Sequence, residues 1–360
     1  MLSGVATSGI DTGCNRNLRV GEKNTMRAKA LYFPYINLPD DDWLYLMLLY
    51  WDQLSSILPS AYIFNPEELA PHMPLLMKEG LVKPIYPQEV LHDVTDFGKP
   101  FLNYIRRHVR RRQLRDTGPE DRVPIHIEKL GGVADELVDL RLAMPAEYPW
   151  FNMDRRVANV FMSYLASVIG SLPEVDSTSV TNDTDCFHLL IGYQVRIHPE
   201  RVRLRHLVLK DIFPFPRGQI TLNKIVKFKE KYGNELARFR NKIESLCIDL
   251  SNVPQQYREE QRHLRVAELK DEVEFIAARM RETWHQITFL DILPVLGAGA
   301  AVIAGVQGHQ LVAATLGAQS LSTAVYQCLL RHRERNILLG HPLAYGAFLK
   351  REWSPVKRVG

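Results

Sequence analysis

The sequence predicts an α+β protein that is predominantly helical, with a mixed N-terminal domain followed by an antiparallel helical bundle. Three observations carry this reading. Beyond residue 217, apolar residues recur every three or four positions over two long stretches. In the first half, short apolar runs are punctuated by proline. Near the end, Ile292 to Leu330 contains no Asp, Glu, Lys or Arg, so that run must be shielded from water by protein or by lipid.

Residues 1–26 are rich in Gly, Ser, Thr and Asn and lack the apolar core of a signal peptide. They read as a disordered extension, with Met26 as a second start. Ala30-Leu31-Tyr32-Phe33 reads as a short buried strand stopped by Pro34. Asp40, Asp41 and Asp42 then open a helix, because acidic groups oppose the positive end of its dipole. Trp43 to Trp51 is apolar nearly all round, which marks that helix as central. Asn65-Pro66-Glu67-Glu68 starts the next helix, running towards Gly80, and Pro84 and Pro87 mark a turn-rich connection. Further helices are expected over 97–114 and 133–142, with a strand over 123–128 between them. Trp150 to Gly170 carries Val157, Val160, Phe161, Tyr164 and Leu165 at helical spacing. Pro173 to Asp185 reads as an exposed loop. Val202 to Phe213 alternates like a strand, and Pro214-Phe215-Pro216 closes the first domain, 27–216.

The second domain, 217–353, opens with a seam of Ile225, Phe228, Tyr232, Leu236, Phe239, Ile243, Leu246, Leu250 and Val253. Pro254 breaks it. A second seam follows: Val266, Leu269, Val273, Ile276, Met280, Trp284 and Ile287. Two such helices joined by a short turn fold back as an αα-hairpin.

The chain has 360 residues, 46% hydrophobic and 24% charged, with a net charge of +4. That charge is too small to point to nucleic acid by itself. Cys14, Cys186, Cys247 and Cys328 form no CxxC pair, which fits a reducing cytoplasm.

The segment Lys29 to Ile36, followed by Asp42-Trp43 and Leu49-Tyr50-Trp51-Asp52, resembles a family of uncharacterised bacterial proteins with an ALYFPYI-type strand motif. Phe228-Lys229, Glu235 to Arg240 and Pro342-Leu343-Ala344-Tyr345 are similar to the same family. The resemblance covers nearly all of 27–353. It implies a bacterial intracellular protein and brings no activity that transfers residue by residue.

Three groups of residues are candidates for chemistry. The uncharged run divides at Gln307-Gly308-His309-Gln310 into two arms. Basic flanks and a turn free of Lys and Arg suit a membrane hairpin. The first arm is short for a span, and Gln319, Ser320, Ser322, Thr323 and Gln327 load the second with polar groups, so burial in protein is expected instead. The basic cluster Arg106, Arg107, Arg110 and Arg111 has the chemistry for phosphate contact, but lacks interleaved aromatics and reads first as a solvated helix end. His92, Asp93, Asp96, Asp183 and Asp185 are the weak catalytic candidates, since paired carboxylates can hold Mg2+ for a hydrolase or nuclease. Their spacing fixes no coordination set, so no metal site is predicted. No GxSxG, Walker A, GxGxxG or HExxH pattern is present, and no cofactor is predicted. The leading expectation is a non-enzymatic interaction or scaffold protein that binds a protein partner or a second copy of itself. A metal-dependent hydrolase and a membrane-perturbing hairpin are the alternatives.

Overall fold

The computed structural model describes residues 28–110, 121–183, 186, 199–213, 221–290 and 333–353. The N-terminal extension with Met26, Arg111, Asp185 and the uncharged run 292–330 lie outside the described residues. The fold is α+β and predominantly helical, as the sequence predicts.

Its centre is a parallel four-stranded sheet. β1 (Lys29–Tyr32) lies between β2 (Gln53–Ile57) and β7 (Ser177–Val180), and β3 (Val82–Ile85) forms the edge beyond β2. Leu31 pairs with Ser55 on one side and Ser179 on the other. Side chains alternate across β1, so Ala30 and Tyr32 enter one apolar cluster while Leu31 and Phe33 enter another. The first cluster holds α1 (Asp42–Tyr50) and α3 (Met73–Lys78), and the second holds α5 (Gly98–Arg110) and α8 (Arg155–Ser171). The sheet is therefore covered on both faces, as a parallel sheet requires.

Local chemistry sets the helix ends. Asp41 Oδ1 accepts the amide hydrogens of Trp43 and Leu44 at 2.9 and 3.4 Å, which caps α1. Asp154 does the same for α8, accepting from Arg156 and Val157. A second, antiparallel sheet of β4 (Arg122–His126), β6 (Trp150–Asp154) and β5 (Ala143–Pro145) leads into α8. Between its strands stand α6 (Ile127–Leu130) and α7 (Ala134–Asp139).

Among the described residues, the longer helices that follow are α9 (Pro199–Ile212), α10 (Leu222–Asn252), α11 (Gln255–Leu290) and α12 (Ala344–Trp353). The chain turns at Val253–Pro254, and Phe239 of α10 and Val273 of α11 meet over Gly346 of α12. From Ile225 to Leu250 the predicted seam is buried, and so is the second seam from Val266 to Met280. Between α10 and α12 lies an aromatic stack: Tyr232 on Phe348 at 4.0 Å, and Phe228 against Trp353 at 4.5 Å. Tyr345 donates its hydroxyl to the Leu49 carbonyl at 2.6 Å and ties α12 to α1. One apolar cluster thus runs from Ala30 through α1, α9, α10 and α11 to α12.

Several expectations need correction. Residues 202–212 are helical, within α9, rather than a strand. The helix expected from Trp150 begins at Arg155, because Trp150–Asp154 pairs as β6 between β4 and β5. The loop expected over 173–185 contains β7, whose backbone completes the parallel sheet. The turn-rich connection around Pro84 contains β3, and proline is tolerated there because β3 is an edge strand. Instead of one helix towards Gly80, a 3-10 turn over Pro66–Glu68 precedes the short α3.

Candidate functional site

The predicted acids occupy separate places. His92 follows α4 (Pro87–Leu91) and pairs with Asp93 at 3.0 Å on an exposed surface. Asp96 adopts a left-handed conformation, φ 57°, and its carbonyl accepts the Lys99 amide at the start of α5. Asp183 lies after β7, where Tyr35 donates its hydroxyl to it at 3.0 Å. Among the described residues, no three His, Cys, Asp or Glu side chains converge to hold a metal ion. Cys247 offers no nucleophile, because burial pushes its thiol up to about 12.

Asp183 nevertheless marks a special place. β1 and β7 flank the point where the strand order reverses, and open parallel sheets bind ligands at the carboxyl ends of such strands. Two hydrogen bonds cross between the ends of these strands. Tyr32 donates to Asn182 at 2.9 Å and Tyr35 to Asp183, joining the segments that follow β1 and β7. Burial, together with the Asp183 carboxylate, pushes the Tyr35 hydroxyl up to about 12.

Of the predicted arginines, Arg106 turns across to α7 and donates to Glu136, while Arg107 is exposed. Arg110 is the last described residue of α5. Arg106 and Asp96, assigned by sequence to two different chemistries, line one cleft of about 530 Å3 between the start of α5 and the Gly131–Gly132 turn.

A buried polar network, which no motif signalled, fixes the helices to the sheet unit. Arg205 of α9 donates through Nε and Nη2 to Glu244 of α10, which also accepts the Tyr50 hydroxyl at 2.9 Å. Burial disfavours the Glu244 carboxylate, but Arg205 and the Tyr50 hydroxyl more than offset this and hold its pKa below the usual range. Arg240 donates to the Tyr50 carbonyl and to Asp52, and Lys229 donates to the Trp51 and Asp52 carbonyls, both at 2.8 Å. Arg205 and Arg240 lie 5.2 and 5.8 Å from the Trp51 ring centroid.

The outer surface of α11 has a different character. One face buries Val266, Leu269, Val273, Ile276 and Met280. The opposite face leaves Tyr257, Leu264 and Phe275 exposed by 54, 53 and 63%. At 3.6 residues per turn these three fall within about 20° of one another. Exposed Glu260, Glu268 and Asp271 fall within about 60° of the same line. Arg279 stands over the Phe275 ring at 5.9 Å. Among the described residues, no helix is long and apolar enough to cross a membrane.

No protein-family model matches the chain, and no curated protein or solved structure matches it.

Proposed function

We propose that the protein is a non-enzymatic interaction module of the bacterial cytoplasm that holds a basic amphipathic helix of a partner protein along α11. The observation that carries the reading is the solvent-facing line of Tyr257, Leu264 and Phe275 on a helix already anchored by its other face. The three share one line but stand about 10 and 16 Å apart along the axis, so they would serve as separate anchors for a long helix laid beside α11. The acids beside them select the partner. Glu260 and Asp271 complement lysines or arginines flanking an apolar ridge and disfavour a second copy, whose acids would face them, while Glu268 is bridged by Arg265 at 3.1 Å. Cys247, buried and outside any disulfide, suits a reducing compartment.

The test is fluorescence anisotropy with a synthetic helical peptide of leucine and lysine, against its leucine and glutamate counterpart. The lysine peptide should bind saturably and lose affinity as salt rises. Leu264→Glu and Phe275→Glu should each weaken it by about tenfold or more, the loss of one buried anchor being worth at least ~1.4 kcal/mol. Equal binding of both peptides, or indifference to both substitutions, would refute the reading. Light scattering should find a monomer; a stable dimer broken by Phe275→Glu would assign the face to self-association instead.

A further inference from the structure

The cleft beside α5 lies apart from the α11 face and has its own logic. Its volume of about 530 Å3 falls within the ~300–1,000 Å3 of pockets that take small organic molecules. Leu91, Val94, Leu102 and Val133 supply apolar walls. The elements that border the space approach each other closely. A Cβ on Gly98 would come 2.4 Å from Val133 Cγ1, and one on Gly131 would come 2.9 Å from the Phe97 ring. Gly131 also sits at φ +53°, where a side chain would be strained.

Charges of both signs meet at this cleft. Lys99 and Arg106 come from α5, Asp96 from the turn before it and Glu136 from α7. Their formal charges cancel. Their mutual bonds leave capacity for a ligand. Arg106 directs both Nε and Nη2 to one oxygen of Glu136, and Lys99 approaches Asp96 only to 3.7 Å.

We propose that this cleft binds a small zwitterion with an apolar body, the size of an apolar amino acid or dipeptide. The ligand carboxylate meets Lys99 and Arg106, its ammonium group meets Asp96 and Glu136, and its side chain covers the apolar walls. Ligands of a single charge fit less well. A phosphate or a dicarboxylate would meet two carboxylates, and a diamine would meet two cations.

Calorimetric titration of the full chain with L-leucine and leucyl-leucine tests this, with N-acetyl-leucine, leucinamide and inorganic phosphate as comparisons. At least one free zwitterion should bind saturably. Each blocked form should bind roughly tenfold or more weakly, because it loses one charge-assisted contact. Arg106→Gln should weaken binding similarly while leaving the melting temperature near wild type, since the Arg106–Glu136 bridge is partly exposed. Val94→Trp, which fills the space, should abolish binding. The proposal is overturned if neither zwitterion binds, if N-acetyl-leucine or phosphate binds as tightly, or if Val94→Trp keeps full affinity.

Discussion

Replacing Glu244 by glutamine probes the network that fixes the helices to the sheet. Glu244 and Arg205 are 6 and 7% exposed, so neither charge is relieved by water. Glutamine keeps an oxygen for Tyr50 or Arg205 but removes the negative charge and turns an amide donor towards a guanidinium. Breaking a buried pair on one side costs about 3–5 kcal/mol. The retained hydrogen bond places Glu244→Gln near the lower end, about 3 kcal/mol. Urea unfolding followed by tryptophan fluorescence measures it. Removing the whole triad with Tyr50→Phe, Arg205→Met and Glu244→Leu should recover the loss to within about 1 kcal/mol, because neither charge of the pair nor an orphaned hydroxyl then remains. The pH dependence has a definite sign. The folded pKa of Glu244 lies below its unfolded value, so its stabilisation is complete above the unfolded pKa and is lost as pH falls through the folded one. The gap between wild type and Glu244→Gln should be constant from neutral pH down to about 5 and narrow below about 4. A single variant within about 1 kcal/mol of wild type at pH 7, or a triple variant no more stable than the single, would refute the reasoning.

Other positions give independent tests. Burial lowers the Lys129 amine to about 7, so the unfolded chain binds more protons between about 7 and 10.5 and wild-type stability should rise across that window. Lys129→Met should remove that rise and stabilise the protein at pH 7 by at most about 5 kcal/mol, read by urea unfolding at several pH values. Gly170→Ala forces a Cβ to 2.7 Å from the Ser177 carbonyl oxygen, so it should destabilise by about 1–3 kcal/mol through displacement of β7 from α8. A Cβ on Gly233 meets nothing within 4 Å, but Gly233 follows the kink of α10 at Tyr232 (φ −123°, ψ 18°), so Gly233→Ala should lack the full gain of a helix-interior substitution and shift stability by less than about 0.5 kcal/mol, read as a melting temperature near wild type.

Much of the helical architecture was legible because burial there follows simple periodicity. The seams of α10 and α11 are apolar at every third or fourth residue, and those positions face the core. Asp41 and Asp42 announced α1 through capping chemistry. The misreadings of α9 and β7 share a physical cause, which is polar residues made compatible with burial by partners distant in sequence. In α9 the buried positions Val202, Arg205, Leu209 and Ile212 have helical spacing, but the arginine breaks the apolar pattern. Glu244, 39 residues away, explains its burial. β7 reads Ser-Thr-Ser-Val, and Ser179 is tolerated inside because its hydroxyl donates to the Ala166 carbonyl at 3.0 Å. The cleft was hidden for a similar reason, since Glu136 of α7 reaches Arg106 of α5 from 30 residues away in sequence. The line on α11 did carry a signal: Tyr257, Leu264 and Phe275 repeat at 7 and 11 residues, on the face opposite the seam.

The most direct test of the interaction reading is to map where a basic helix lies. A leucine and lysine peptide carrying a benzophenone photocrosslinker would be bound to the full chain, irradiated, and its attachment sites identified by mass spectrometry. The account predicts adducts along the exposed face of α11 between Tyr257 and Phe275, reduced by Phe275→Glu and by high salt. Adducts concentrated on another surface, or adducts on α11 unaffected by either change, would contradict it.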